Sequence, residues 1–452
     1  MRWLTVPERH PGFTVLAVSV LFGLAYGTSL VVLPKASGRI VIGDALHHYV
    51  QLRSAVFDHD LHFQNEYIRL YRLKGGEPGT EWIYEPTATG HVRNLMPVGP
   101  AIVWAPGFLL VSGGVWLADR LGASYPLDGY GRLFQATAGF GGIAAAGLGA
   151  WLACLAAASL FDKRAAVWAM LTVWLASSSL YYSVISPTYS HAASMLAVSG
   201  FWLAWVRSRQ YQTAPRYAML GVLIGIAALM RWQDAVFLVI PAIDAAWHLR
   251  RELVVPTAGR LLACAGGAVV GFGPQMIVWV VLYGTPLAIP QGAGFMRWTE
   301  PALWAVLMSD NHGLFTWTPV IALSLAGLVS ITRRVPLVGV AAVLVFAVSW
   351  YVNAAVADWW GGEAFGARRF LSCFPVFVLG LAAIFNRFGT RLGVIAAVAA
   401  VFTVHTLLLL LQYQALMHGL WDVVPSPRGV DGLWLARFRA PFDLIAWWLG
   451  RS

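Results

Sequence analysis

The run FTVLAVSVLFGLAYGTSLVVL, Phe13–Leu33, decides the fold class of this chain. It carries no charged residue and is long enough to cross about 30 Å of hydrocarbon as a helix. It also exceeds the apolar core of a signal peptide, which spans about 7–15 residues. Arg2 and Arg9 precede the run, and basic residues mark the cytoplasmic side of a membrane. We therefore expect an uncleaved first span that runs outward from a cytoplasmic N-terminus.

Similar apolar runs recur along the rest of the chain. Of its 452 residues, 58% are hydrophobic and 12% are charged, and the mean hydropathy is +0.66. This composition predicts an all-α, multi-pass integral membrane protein, of the kind found in a bacterial inner membrane, with residues 1–452 as a single membrane domain. The net charge of +10 comes from short basic clusters between the apolar runs. Such clusters mark cytoplasmic loops and argue against nucleic-acid binding.

About eleven spans are expected. After Phe13–Leu33 they are predicted at Leu133–Leu160, Ala165–Ile185, Ala192–Val206, Tyr217–Met230, Ala235–Leu249, Leu261–Tyr283, Pro319–Ile331, Leu337–Val356, Phe370–Phe385 and Leu392–Tyr413. The run Pro97–Ala118 is equally apolar, but it contains prolines and glycines, and its crossing would place the later Arg clusters outside. It is therefore predicted to be an interfacial or re-entrant helix.

This topology leaves two extracytoplasmic regions outside the bundle. Residues 34–131 form a first extracytoplasmic loop with juxtamembrane helices, and the aromatic residues of 414–452, Trp434 among them, indicate an interfacial tail. Asp244 falls near the inner end of its span, where we expect a hydrogen-bonded structural acid.

The segment VIGDALHHYVQLRSAVFDHDLHFQNEY, Val41–Tyr67, gathers carboxylates, imidazoles and amides within an apolar sequence. If Asp44–Asp58 is helical, one face carries Asp44, His47, His48 and Gln51, and the opposite face carries Ala45, Tyr49, Leu52 and Val56. This pattern indicates a helix on the membrane surface whose polar face is available to reactants. The alternative is a solvated helix that only braces the fold.

Short polar loops fall on the same predicted side as the Asp44 helix. They are SPTYSH at 186–191, MRWQD at 230–234, residues 284–318, and DWWGGEAFGARR at 358–369. Arg231, Arg368 and Arg369 stand at span ends, and guanidinium suits bidentate contact with phosphate. Trp359 and Trp360 stand beside glycines, where an indole can stack on a sugar. The alternatives are headgroup anchors for the arginines and an ordinary aromatic belt for the tryptophans.

The order of these elements resembles the GT-C superfamily of polyprenyl-phosphate-sugar-dependent glycosyltransferases, which includes protein O-mannosyltransferases and the aminoarabinose transferase of lipid A. Asp44 matches the catalytic aspartate of the first loop, Asn94–Pro106 matches the proline-containing juxtamembrane helix, and Arg231 stands where a basic residue ends a middle span. Asp44-Ala45 replaces the acidic pair of protein mannosyltransferases, which argues against that substrate class.

The resemblance implies an inverting transfer of a sugar from a polyprenyl-phosphate donor to a hydroxyl of a glycan, lipid or protein acceptor at the outer membrane surface. Asp44 is then the catalytic base. The predicted substrate-binding residues are His47, His48, Gln51, Glu66, Tyr189, His191, Trp359 and Trp360, and the predicted donor-phosphate residues are Arg231, Arg368, Arg369 and Arg93.

No cofactor is required by this interpretation, because arginines can neutralise a phosphate. The alternative is a divalent metal held by Asp44 with His47 and His48. Two other functional classes also remain open. A transporter or flippase would place ionisable residues and broken helices near the bilayer midplane, and a non-catalytic scaffold would need no site.

Overall fold

The computed structural model describes residues 6–32, 39–75, 78–249, 254–429 and 436–450. Within these ranges the chain is built from helices, and β-pairing is limited to the isolated bridges Pro86 to Val92 and Met296 to Val356. The predicted all-α class is confirmed. Arg2 and Trp434, which entered the topology prediction, lie outside the described residues, as does the start of the first loop at 34–38.

The chain order of the helices is as follows: α1 Val6–Arg9, α2 Pro11–Val32, α3 Asp44–Arg53, α4 Gln64–Tyr71, α5 Gly99–Arg120, α6 Arg132–Ala158, α7 Lys163–Leu175, α8 Ser178–Val184, α9 Ser190–Ser208, α10 Ala214–Met230, α11 Val239–Leu249, α12 Val254–Tyr283, α13 Ala305–Met308, α14 Leu314–Trp317, α15 Val320–Arg334, α16 Pro336–Ala354, α17 Phe374–Phe388, α18 Leu392–Met417 and α19 Ala436–Leu449. A π-helical turn, Ser54–Asp58, extends α3, and 3₁₀ turns cover Glu81–Ile83, Trp232–Leu238, Ala293–Phe295 and Arg368–Cys373.

Seven of the described helical segments are long and apolar enough to cross a membrane. They are α2, α5, α6, α12, α16, α18 and the segment Arg368–Phe388, which joins a 3₁₀ turn to α17. The chain is thus a multi-pass integral membrane protein. The further spans predicted at the shorter helices, and the total of about eleven, stay predictions.

The prediction of a single helical span at Ala165–Ile185 is wrong, because the helix is interrupted after Leu175. The Ser177 hydroxyl donates to the carbonyl of Val173 at 2.7 Å and accepts from the amide of Ser179 at 3.2 Å. These side-chain bonds replace helical backbone bonds, so α7 ends and α8 begins within three residues.

The run predicted as Pro97–Ala118 forms the continuous helix α5, with Pro106 inside it. Its length and composition would also suit a membrane span. Its placement as an interfacial or re-entrant helix therefore stays a prediction, which thiol labelling can test.

Small residues bring the central helices close together. A Cβ on Gly221 of α10 would lie 2.0 Å from the carbonyl oxygen of Cys264, and one on Gly267 of α12 would lie 2.1 Å from that of Ala218. Both positions therefore require glycine, as in close helix packing within membranes. This contact fixes the end of α10, from which Arg231 extends.

The first loop packs against α5 through α3. Of the predicted apolar face, Ala45, Tyr49 and Leu52 are buried, whereas Val56 is half-buried in the π-helical turn. The hydroxyl of Tyr49 donates to the carbonyl of Gly129 at 2.6 Å. Arg53, also buried, contacts the carboxylates of Asp58 and Glu66. The loop is thus a folded unit that holds α3 at a fixed place above the bundle.

Candidate active site

Six segments of the chain surround one polar cavity of about 780 Å³, part of which is open to solvent. Its lining comprises Asp44, Leu95, Met96, Pro97, Ser190, His191, Arg231, Trp232, Gln233, Gln291, Phe295, Asp358, Arg368 and Arg369. Asp44 begins α3, Ser190 begins α9, Arg231 follows α10, and Arg368 begins the 3₁₀ turn before α17. The structure thus brings together Asp44, His191 and the three arginines at span ends that were predicted to bind phosphate.

Asp44 forms an ion pair with Arg368 on the wall of this cavity. Its Oδ2 lies 3.2 Å from Nη2 of Arg368, and the two side chains are 36% and 14% exposed. Tyr189 flanks the pair, with its ring 5.2 Å from the guanidinium carbon of Arg368. Gly43, at φ 55°, precedes Asp44, and a Cβ there would lie 2.9 Å from the hydroxyl of Tyr189. Glycine therefore allows the turn that directs Asp44 toward the cavity.

Arg369 has a carboxylate partner on the same wall. Its guanidinium donates to Oδ1 of Asp358 at 2.8 Å and to the Asp358 carbonyl at 2.6 Å. Gly361, at φ 77°, closes the turn between them, and a Cβ there would lie 3.4 Å from Nε of Arg368. Gly361, one of the glycines beside Trp359 and Trp360, thus shapes the loop that carries both arginines.

Arg231 forms the floor of the cavity. It is 7% exposed, and its guanidinium contacts Nδ1 of the buried His191. Burial lowers the pKa of Arg231 to about 10, so the group keeps its charge at neutral pH.

Asp234 lies beneath Arg231 and is fully buried. Its Oδ2 accepts from Ser194 of α9 at 2.6 Å, and Ser194 lies 3.1 Å from the hydroxyl of Ser372. Burial raises the pKa of Asp234 to about 6, so the carboxylate is mostly ionised above that pH.

The segment Asn94–Pro97 forms the opposite wall, and the polar face of α3 holds it. Nδ1 of His48 donates to the carbonyl of Pro97 at 2.7 Å, and Nε2 of Gln51 donates to that of Met96 at 3.1 Å. The Asn94 amide returns a bond to the carbonyl of His47 at 2.8 Å. The expectation that this whole face is available to reactants is therefore wrong, because His48 and Gln51 are fully buried against the wall.

The remaining predicted residues lie away from the cavity lining. His47 bonds the hydroxyl of Tyr67 at 2.8 Å, and the fully buried Glu66 accepts from Arg53 at 2.8 Å. Burial lowers the pKa of both His47 and His48 to about 4, so both are neutral near pH 7. Arg93 is exposed, with its guanidinium 5.9 Å from the ring of Trp82.

Trp359 and Trp360 line a smaller pocket on the other side of Arg368 and Arg369. Their rings meet edge to face at 5.8 Å, and the carbonyl of Trp360 lies 2.9 Å from Nδ1 of His312. Phosphate binding by Arg93 stays a prediction. Sugar binding also stays a prediction for Trp359, Trp360, His47, His48, Gln51, Glu66, Tyr189 and His191.

Several cavity residues were given no role by the sequence analysis. Asp358, Gln233 and Gln291 line it, and Nε2 of Gln291 donates to the carbonyl of Leu95 at 2.9 Å. Each stands in a polar loop that the sequence did identify, and Gln233 and Asp358 share short loops with the arginines. Their place beside the arginines in sequence was the signal that could have identified Gln233 and Asp358 as cavity residues. Within the described residues, no group of three or more His, Cys, Asp or Glu side chains has a geometry that could hold a metal ion.

No known family model matches the chain, and no curated protein matches its sequence. Its structure is similar to the oligosaccharyltransferase AglB of Archaeoglobus fulgidus, solved with an inhibitory peptide and a dolichol-phosphate, at 14% identity and a TM-score of 0.47, over 98% of this chain and 54% of that one. A structure of an Archaeoglobus fulgidus oligosaccharyltransferase in the apo form matches at 15% identity and a TM-score of 0.45, over 98% and 55%. The chain thus spans about half the length of the solved structures that it matches.

Proposed function

We propose that this protein is a membrane glycosyltransferase that moves a sugar from a polyprenyl-phosphate donor to the hydroxyl of a glycan, lipid or protein acceptor, with inversion at the anomeric carbon. The observation that carries the proposal is the cavity in which the Asp44 carboxylate faces Arg231, Arg368 and Arg369. A carboxylate can accept a proton, and clustered guanidiniums can bind a phosphate.

The ion pair between Asp44 and Arg368 supports an exchange of partners. Its 3.2 Å contact is partly exposed, so a phosphate that enters the cavity can replace the carboxylate at Arg368. Asp44 is then released to accept a hydrogen bond from the acceptor hydroxyl. Donor binding would in this way prepare the base for its role.

The chemical step follows from these positions. The acceptor oxygen forms a bond to the anomeric carbon while its proton passes to Asp44, and the bond from that carbon to the phosphate oxygen breaks. The bonding electrons leave with the polyprenyl phosphate, which gains negative charge that the arginines stabilise. Attack on one face and departure from the other invert the anomeric configuration.

The location at helix ends favours surface transfer over transport. Asp44, Arg231 and Arg368 each stand at the beginning or just beyond the end of a helix, whereas transporters usually hold their substrates near the midplane. Successive loops between the predicted spans alternate between the two sides of the membrane, and the loops on the side of the N-terminus carry an excess of Arg and Lys. This excess supports a cytoplasmic N-terminus and an extracytoplasmic active site, as in a bacterial inner membrane.

The test is sugar transfer by purified Asp44→Asn protein from a polyprenyl-phosphate sugar. An amide of the same size cannot take the proton, so we expect transfer to fall by about 10² or more, the scale for loss of a positioned general base. Asp119→Asn, an exposed carboxylate at the far end of α5, is the matched control and should keep wild-type activity. Wild-type rates in Asp44→Asn would contradict the proposal and favour a transporter. Inhibition of wild type by a chelator would indicate the metal alternative.

A further inference from the structure

Each arginine of the cavity has a carboxylate near it, but one carboxylate differs from the other two. Asp44 lies next to Arg368, Asp358 next to Arg369, and Asp234 three residues after Arg231. Asp44 and Asp358 are 36% and 44% exposed on the cavity wall, whereas Asp234 is fully buried. An entering phosphate can displace the first two, but it cannot reach the third.

Hydrogen bonds from a neighbouring helix hold Asp234 in place. Ser194 of α9 donates to its Oδ2 at 2.6 Å, and Ser194 itself contacts Ser372 at 3.1 Å, three residues after Arg369. The backbone amide of Asp234 donates to the carbonyl of Arg231 at 2.8 Å. The carboxylate is thereby fixed beneath the floor of the cavity, beside the elements that carry all three arginines.

The reaction makes such a fixed charge useful. The donor is a phosphate diester with one negative charge, whereas the released polyprenyl phosphate is a monoester with about 1.5 to 2 negative charges near pH 7. Three guanidiniums without a permanent counter-charge would bind this product more tightly than the donor. A buried carboxylate weakens phosphate binding at the same cavity, and most strongly for the more highly charged product.

We infer that Asp234 is a fixed counter-charge that limits the affinity of Arg231, Arg368 and Arg369 for phosphate and so allows the lipid phosphate product to leave. This inference rests on the proposed function, because it takes the three arginines as the phosphate site. Asp234 acts through the arginines and touches neither substrate. Although burial raises its pKa to about 6, the carboxylate is mostly ionised at neutral pH.

The test is Asp234→Asn, which removes the charge but keeps an oxygen that can accept from Ser194. Binding of farnesyl phosphate, a short-chain analogue of the product, is measured by calorimetry at fixed ionic strength near neutral pH. We expect its dissociation constant to fall on the order of tenfold, as one removed charge predicts at an effective dielectric of about 20. In the transfer assay, the KM for the donor and kcat should fall together, because product release becomes slower.

These directions separate an electrostatic role from a structural one. Damage to the site would raise KM and weaken farnesyl phosphate binding. Asp244→Asn is the matched control, because Asp244 is another fully buried carboxylate, and it forms an ion pair with Arg216 at the opposite ends of α9 and α10. It should lower thermal stability and leave farnesyl phosphate affinity unchanged. Unchanged or weaker binding by folded Asp234→Asn overturns the inference, as does failure of the wild type to bind farnesyl phosphate.

A second pair of variants decides the matter if Asp234→Asn does not fold. Arg231→Gln leaves Asp234 as a buried charge without its arginine, and the double variant Arg231→Gln with Asp234→Asn removes both charges. The double variant should bind farnesyl phosphate more tightly than Arg231→Gln, and equal or weaker binding overturns the inference. Absence of sugar transfer by the wild type would contradict the proposed function while leaving these affinities measurable.

Discussion

The cavity and the cluster around Asp244 lie at opposite ends of α9 and α10, and both join aspartates to arginines. At Asp244, Arg216 donates to Oδ2 at 2.6 Å, Trp205 donates to the same oxygen at 3.0 Å, and Gln212 donates to Oδ1 at 3.2 Å. Asp244 is fully buried. The predicted structural acid is therefore confirmed as a hydrogen-bonded group whose acceptors are occupied.

At the cavity the same residue types are arranged differently. Asp44 makes one contact of 3.2 Å and remains 36% exposed, and it borders a cavity that is partly open to solvent. The comparison shows that composition does not separate a structural ion pair from a site. What separates them is whether neighbouring side chains satisfy the carboxylate or leave it facing a space that a ligand can enter.

The largest expected contrast is in stability. Asp244→Asn should lower the free energy of unfolding by about 3–5 kcal/mol, because it leaves the buried Arg216 without its counter-charge. Asp44→Asn should change it by less than about 1 kcal/mol, because its pair with Arg368 is partly exposed. Thermal melts of both variants in the same detergent measure the difference. Equal losses of stability would remove the distinction between the two regions.

A second expected contrast is in donor binding. Arg368→Ala removes charge-assisted hydrogen bonds worth about 1.5–3 kcal/mol, so the KM for the donor should rise by about 10- to 100-fold. Arg368→Lys should recover only part of this loss, because an ammonium lacks the planar fork. Arg69→Ala, which removes an exposed arginine paired with Asp128, is the control and should leave KM unchanged. Normal KM in Arg368→Ala would reduce Arg368 to a membrane anchor.

A smaller effect is expected at the cavity wall. His48→Ala removes the hydrogen bond from His48 to the carbonyl of Pro97, which is worth about 1 kcal/mol. Because that carbonyl then lacks its donor, activity should fall several-fold. His47→Ala should have a weaker effect, because His47 bonds Tyr67 away from the cavity lining. Steady-state assays of both variants measure these effects. A larger loss of activity in His47→Ala than in His48→Ala would contradict this interpretation.

The last prediction concerns the orientation of the chain in the membrane, and its test does not depend on a change in activity. Cys154, Cys264 and Cys373 are buried, so single cysteines can be introduced at the exposed positions Glu81, Ser124 and Tyr211. An impermeant thiol reagent added outside intact cells should label positions 81 and 124 but not 211. Protection of position 124 alone would show that α5 is a true span.

Sequence by itself determined the helical membrane class, because uncharged runs near 20 residues in length have few alternatives in a bilayer. It also identified Asp44 and the arginines at helix ends, since charges are rare in such a chain and stand out. It assigned His48 and Gln51 to the correct side of α3 but not to a role, because periodicity gives the face of a helix and not what covers that face.

Only the tertiary structure decided which polar groups meet. Asp44 and Arg368 are more than 300 positions apart in sequence, and the pair forms because α3 rests on α5 while Gly361 turns the loop before Arg368. Asp358, Gln233, Gln291 and the buried Asp234 acquired their places in the same way. Local patterns determine elements through backbone geometry, whereas a site depends on long-range packing that leaves a cavity among those elements, and no short stretch of sequence contains that information.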